Sequence, residues 1–384
     1  MRVLVVSHAL TVPANQALYC EMERLPGVEL ALVVPQWWKA SMGGVREFER
    51  HEALDCSVIA KPVRFSGKIN VHFYRGLSGR DLPWAPEVIY ADEEAYSLAA
   101  YQCLRMARAF DVPLVFKTNQ NLLKRYPPPF SWVERAVYRR AAAALPCAQA
   151  CIEVLRAKGY WGPLEVIGFG LDPAVTRPWP VEHLRARLGI PPEAFVIGCM
   201  GRFTPEKGVV DLIEACRRLE ASATEEAGPE FRVLIVGGGP QAEGLQARAA
   251  ELALGRVIFA GVVPHGKAAA EHLSCMDVCV VPSRTTPAWK EQFGRVITEA
   301  MACGVPVVGS DSGNVPVLIR ETGGGQVFPE GDVPALAEAL KRLMHDRELA
   351  RQLGDTGQQY VTREYCYRHL AERMVAAFGA AVEG

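Results

Sequence analysis

Two carboxylates and two cations in this chain have the types and the spacing to handle a phosphorylated sugar. Glu291 and Glu299 lie within VPSRTTPAWKEQFGRVITEAMACGVPVVGSDSGNVPVLI (residues 281–319), with seven residues between them. The pattern predicts an apolar strand over 277–282, a polar loop, a helix opening near Gly294 and a second strand over 305–310. A helix that opens straight after a strand presents its N-terminal N–H groups and the positive end of its dipole, which suits a phosphate. Glu299, about five residues into that helix and so roughly 7 Å from its mouth, is within reach of sugar hydroxyls. Glu291 precedes the helix and can face a group on the other side of the same phosphate. A loop carboxylate and a solvated helix carboxylate would give the same pattern, so neither residue decides alone.

The cations come from GRFTPEKG (residues 201–208), between a predicted strand over 195–200 and a predicted helix over 209–219. Arg202 and Lys207 then lie at the carboxyl end of a strand, where open α/β sheets bind ligands. Arg can fork two phosphate oxygens and Lys adds a compact charge. Gly201 permits close backbone approach. Gly238, in VGGGP, follows a strand and either lines a ligand pocket there or makes a plain strand-to-helix turn.

Strand-like and helical runs alternate from the first residue, arguing for parallel sheets covered on both faces. A chain of 384 residues exceeds the usual size of one core, so two domains are expected. The Pro-rich stretch 172–180 reads as the linker. The expected domains are 1–172, joined by a C-terminal helix over about 363–384, and 181–362. In the first, helices are expected over 15–25, 95–110, 131–143 and 149–158, and a last strand over 164–167. Net charge is −1, so nucleic acid is not an expected partner. The 11 cysteines include no CxxC pair, and the two pairs four apart, Cys147/Cys151 and Cys275/Cys279, sit among apolar neighbours, so neither a metal site nor a disulfide framework is expected. The N-terminus MRVLVVSHAL reads as a strand and no run suits a membrane span, which makes the cytoplasm the expected location.

GRFTPEKG followed by EQFGRVITEAMACGVPVV and SDSGNVPVLI resembles the retaining GT-B glycosyltransferases of the group 1 (family 4) type. The resemblance covers the second domain well and the first mainly in layout. It implies an α/β fold of two Rossmann-like doubly wound domains facing a deep interdomain cleft. It implies a nucleotide-diphosphate sugar as co-substrate, with Arg202 and Lys207 on the diphosphate and the backbone near Phe293 and Gly294 at its phosphate. Glu299 would take the ribose and Glu291 the donor sugar, while Gly238 and Val263, in GVVPHG, would stand near the nucleobase. Transfer to a hydroxyl acceptor would retain configuration and need no metal or other cofactor. A sugar-nucleotide epimerase or phosphorylase on the same fold, or a non-catalytic scaffold subunit, remain as alternatives.

The first domain departs from the family. Where many relatives have a Gly-Gly loop after the first strand, this chain has SHALTVPANQ, with His8 and Asn15 as acceptor-binding candidates. Where many place a His after a central strand, this chain has ADEEAYS; Asp92 is the catalytic candidate, with Glu93 and Glu94 as rivals. Asn119 and Asn121, after another strand, are further acceptor candidates. The mixed basic and aromatic segments 35–44 and 64–80 suit an acceptor, an anionic membrane surface or an ordinary surface hairpin.

Overall fold

The computed structural model describes residues 1–39, 44–223 and 229–384, and every feature below is one of those residues. Residues 40–43 of the segment 35–44 lie outside the described residues. The chain divides into two compact units, one of Met1–Gly170 with Tyr367–Gly384 and one of Leu171–Cys366.

The strands of unit 1 are β1 (Arg2–Val6), β2 (Glu29–Pro35), β3 (Trp37–Lys39), β4 (Val45–Glu47), β5 (Ser57–Lys61), β6 (Val63–Arg64), β7 (Phe73–Tyr74), β8 (Val88–Ala91), β9 (Leu114–Thr118) and β10 (Ala141–Pro146). Six of them form a sheet in the order β10-β9-β8-β1-β2-β5, and every pairing in it is parallel. β3–β4 and β6–β7 are antiparallel hairpins. The alternation along β1 explains the layering. Val3 and Val5 enter one apolar cluster and Leu4 and Val6 another, all fully buried, as a sheet covered on both faces requires. The helices are α1 (Ala17–Glu23), α2 (Leu98–Phe110), α3 (Phe130–Tyr138) and α4 (Gln149–Ala157). In α2, Ala99, Ala100, Cys103, Leu104 and Ala107 face inward at helical spacing, and Ser97 caps the start by accepting from the Ala100 N–H at 3.0 Å.

Unit 2 restarts with α5 (Glu182–Arg187), then β11 (Phe195–Arg202), α6 (Val209–Ala223), β12 (Phe231–Gly238), α7 (Ala242–Glu251), β13 (Val257–Gly261), α8 (Lys267–Ser274), β14 (Val278–Val281), α9 (Arg295–Ala302), β15 (Val307–Ser310), α10 (Val315–Thr322), β16 (Gly325–Phe328), α11 (Val333–His345) and α12 (Arg347–Glu364). Its parallel sheet runs β13-β12-β11-β14-β15-β16. The order reverses between β11 and β14, the position at which doubly wound sheets bind ligands. A final helix, α13 (Tyr367–Glu383), returns to unit 1. There it buries Ala371, Met374 and Phe378 in the core, with the Phe378 and Tyr90 rings 5.2 Å apart.

Four local expectations are corrected. The helix expected over 131–143 ends at Tyr138, because Ala141–Pro146 is used as the edge strand registered against β9. The strand expected over 164–167 is reduced to a single bridge between Ala144 and Leu164. The terminal helix expected over about 363–384 is broken at Tyr365–Cys366, where α12 stops and α13 begins. Helices α5, α10 and α12 were not expected at all.

Candidate functional site

In unit 2 the loops at the carboxyl ends of β11, β14 and β15 carry the candidate residues. β11 continues to Arg202, whose side chain is exposed, and the chain then turns through a short 3-10 segment, Pro205–Lys207. Gly208 ends that turn with φ +63°, and a Cβ there would stand 1.9 Å from the Pro282 carbonyl oxygen. Glycine therefore lets the GRFTPEKG loop lie directly on the end of β14. The consequence is a side-chain cluster. Lys207 Nζ lies 2.5 Å from Glu291 Oε2 and 4.9 Å from the centre of the Trp289 ring, and Ser283 Oγ donates to the same Glu291 oxygen at 2.9 Å. Glu291 is 7% exposed. A carboxylate this enclosed needs compensating charge and hydrogen bonds, and Lys207 and Ser283 are part of that compensation.

The Ser/Gly/Asp loop after β15 holds Glu291 from behind. The Asn314 N–H donates to the Glu291 carbonyl at 3.1 Å, and Gly313 has φ +56° with its virtual Cβ 2.2 Å from the same oxygen. Asn314 Nδ2 donates to the Phe293 carbonyl at 3.1 Å, while its buried Oδ1 has no partner. Ser310 Oγ donates to the Ser283 carbonyl at 2.6 Å. Phe293 is buried and its ring meets Tyr365 edge-on at 5.6 Å. Gly294 is the N-cap of α9 and contributes no side chain to cap it. Behind this, Arg284 grips the buried Asp211 of α6 through two nitrogens.

Glu299 sits on α9, 3.5 Å from Arg295, with 27% of its side chain exposed. Burial pushes its carboxyl above the usual range, against the pull of the Arg295 and His265 charges. His265 is thereby placed in the electrostatic neighbourhood of Glu299. Gly201 and Arg202 are in register with Gly237 and Gly238 across β11 and β12. A Cβ at Gly238 would meet Val262 at 2.8 Å, so the segment carrying Val263 stands at the end of β12.

Unit 1 gathers its own polar residues where β1, β8 and β9 end. Asp92 is 7% exposed and accepts from Ser7 Oγ at 2.7 Å and Tyr19 OH at 3.3 Å, with Lys117 Nζ at 3.0 Å. Burial pulls the Lys117 ammonium down, but Asp92 outweighs it and leaves the group raised. Glu93 points the other way. Its Oε1 accepts from the His8 N–H at 2.8 Å and faces His72 Nε2 at 3.2 Å, and its Oε2 lies 2.7 Å from His8 Nδ1. Burial would raise Glu93, but the charges of His8 and His72 hold it well below the usual carboxylate range. His8 is lowered by burial and raised further by Glu93, with a net upward shift. Glu94 accepts from Thr118 Oγ1 at 2.9 Å and the Asn119 N–H at 2.8 Å; burial nevertheless leaves its carboxyl raised. Asn121 is buried next to this turn, whereas Asn15 is exposed and donates to the Ala9 carbonyl at 2.7 Å. The three successive carboxylates of ADEEAYS thus serve three different neighbourhoods.

Reasoning from sequence missed Ser283, Trp289 and His72. Ser283 had a signal, since it is the first polar residue after an apolar strand. His72 lies in a short hairpin whose pairing no local pattern specified.

Residues 180–360 match the family described as glycosyl transferases group 1. Unit 2 belongs to that family. The resemblance carried by GRFTPEKG and EQFGRVITEAMACGVPVV is thereby borne out. Relatives include the D-inositol 3-phosphate glycosyltransferase of Stackebrandtia nassauensis, 32% identical over 56% of this chain and 48% of its own length. The 2-deoxystreptamine glucosyltransferase of Streptomyces kanamyceticus is 30% identical over 64% of this chain and 62% of its own. The chain thus spans between about half and two thirds of these curated relatives. Among solved structures, Anabaena HepE in complex with UDP is similar over 99% of this chain and all of its own, with TM-score 0.72 and 18% identity. A sucrose-phosphate synthase from Thermosynechococcus elongatus is similar over 99% and 98%, with TM-score 0.69 and 21% identity. These likenesses establish the GT-B fold of two Rossmann-like units for this chain. Among the described residues, no helix is long and apolar enough to cross a membrane.

Proposed function

We propose that this chain is a retaining glycosyltransferase that moves a sugar from a nucleotide-diphosphate sugar to a hydroxyl acceptor. The observation that carries the reading is the Lys207–Glu291–Ser283 cluster at the switch point of the unit 2 sheet, beside the N-terminus of α9. It has a cation for the departing diphosphate and a carboxylate for sugar hydroxyls in direct contact. In the proposed complex Lys207 shares its ammonium with the diphosphate, Arg202 adds a second charge, and the α9 dipole faces the same oxygens. Stabilising the leaving group in this way lets the acceptor attack from the same face without a metal at the diphosphate. Glu291, still held by Ser283, orients the donor sugar, and Glu299 receives the ribose hydroxyls. Gly201, Gly238 and Val263 line the base side. That a solved relative by fold holds UDP, and that two relatives are named for D-inositol 3-phosphate and 2-deoxystreptamine, supports a nucleotide donor and a hydroxyl-bearing acceptor.

On the acceptor side the proposal places His8, Asn119 and Asn121. Asp92 is assigned to holding Lys117, Ser7 and Tyr19 in place rather than to proton transfer, because these three groups converge on its two oxygens. The test is transfer from UDP-, GDP- and ADP-sugars to a panel of polyols and aminocyclitols, followed by determination of the anomeric configuration. Release of nucleotide that depends on acceptor, with a retained anomeric centre, supports the reading. Turnover without an acceptor, or an inverted product, refutes it.

A further inference from the structure

We propose that His8, His72 and Glu93 form a binding site in unit 1 for one divalent transition-metal ion of the zinc class. Nδ1 of His8, Nε2 of His72 and a carboxylate oxygen of Glu93 all lie within 4.8 Å of one another. His72 and Glu93 are buried, at 0% and 2% exposure.

His72 is the residue that points to a cation. Its Nδ1 is 3.0 Å from the Ile69 carbonyl, which can only accept, so the ring proton belongs on Nδ1. Nε2 then presents a lone pair to Glu93 Oε1 at 3.2 Å. Two lone pairs facing one another inside the protein require a cation at that point, either a second ring proton or a metal ion. A metal-bound imidazole characteristically donates its other N–H to a backbone carbonyl, and the Ile69 contact supplies that. Glu93 is fixed in turn by the His8 N–H at 2.8 Å. The Trp38 ring lies 4.7 Å from His8 and 4.9 Å from His72, closing one side, while His8 keeps 18% of its side chain exposed and leaves an ion a route in.

Two imidazoles and one carboxylate suit Zn²⁺, Co²⁺, Ni²⁺ or Fe²⁺ rather than Mg²⁺ or Ca²⁺. Bonds of about 2.0–2.2 Å in tetrahedral geometry set ligand atoms roughly 3.3–3.5 Å apart. The 2.7 Å and 3.2 Å contacts are made to different oxygens of Glu93 and need open by less than about an ångström, while the widest separation in the 4.8 Å cluster must close by up to roughly 1.5 Å. Three protein ligands leave the fourth position for water or an alcohol oxygen, the arrangement of catalytic rather than structural zinc sites. The inference rests on unit 1 alone and does not depend on the donor reading of unit 2.

The experiment is equilibrium dialysis of the full chain against Zn²⁺ and Co²⁺, with metal analysis and the visible spectrum of the Co²⁺ form. The expected result is one equivalent bound, a Co²⁺ spectrum without thiolate charge-transfer bands, and affinity at least about tenfold weaker in H8N and H72Q. H8N alters the partly exposed ligand and leaves Glu93 its His72 and His8 N–H partners, so it is expected to fold with a lowered unfolding midpoint and decides the matter should H72Q fail to fold. No bound metal in the parent chain, or undiminished binding in H8N, overturns the proposal and leaves a cluster held by protons alone.

Discussion

Replacing Lys207 by Ala separates what the Lys207–Glu291 pair does for binding from what it does for the fold. The two groups are 2.5 Å apart and their side chains are 24% and 9% exposed. Removing one partner of a fully buried pair costs about 3–5 kcal/mol. Here Lys207 is partly solvated and Ser283 still donates to Glu291, so the stability loss is expected at about 1–2 kcal/mol. For units of this size that is roughly 2–8 °C in the unfolding midpoint. Transfer should fall by about 10²–10³, the cost of one lost donor to a developing negative charge. Adding E291Q to K207A removes the under-compensated charge. Stability should then recover by most of the loss while activity does not. Calorimetry and initial rates on the four members of this double-mutant cycle measure both quantities. Stability losses that simply add, or a K207A variant with transfer within about threefold of the parent, would refute the reasoning.

Three other perturbations bear on the site. Because burial raises the Glu299 carboxyl, its contribution to stability is present below the unfolded carboxylate pKa and is lost as pH rises through the folded one. E299Q should therefore be the more stable protein near pH 7, with its advantage vanishing by about pH 4, and should bind nucleotide about tenfold more weakly if Glu299 accepts from ribose. G313A places a Cβ against the Glu291 carbonyl at positive φ, and should cost about 1–3 kcal/mol in urea unfolding together with a loss of donor affinity. D92N strips Lys117 of its charge partner and should lower the midpoint by several degrees; unchanged stability with abolished turnover would return Asp92 to the catalytic role.

The fold was legible where period and composition agreed. β1, β2, β11 and β14 are largely buried apolar runs that lead into Ser7, Pro35, Gly201 and Pro282, and the units they begin could be read directly. Helix α12 was not, because Gly354 and Gly357 argue against a helix locally. They are tolerated because a Cβ at 354 would strike the Gly304 carbonyl at 2.2 Å and one at 357 the Met301 side chain at 2.9 Å, so α12 packs closely on α9 and the turn after it. The alanine run 141–144 reads as helix by propensity, yet its neighbours in β9 claim it as strand. At the site, Glu291, Arg202 and Lys207 could be singled out from sequence, but the contact of Lys207 with Glu291 depends on the close approach at Gly208 to the end of β14. The division of Asp92, Glu93 and Glu94 among three sets of partners depends on β1, β9 and the β6–β7 hairpin, whose placement is a tertiary fact.

The unit 2 cluster is proposed to bind the diphosphate of a nucleotide sugar. Titration calorimetry of the parent chain and K207A with UDP, GDP and ADP tests it most directly. One of the three is expected to bind the parent with a Kd between about 1 µM and 1 mM and to raise its unfolding midpoint. The same nucleotide should bind K207A at least tenfold more weakly, a difference of about 1.4 kcal/mol. Absence of binding to the parent at millimolar nucleotide, or equal affinity in the two proteins, would contradict it.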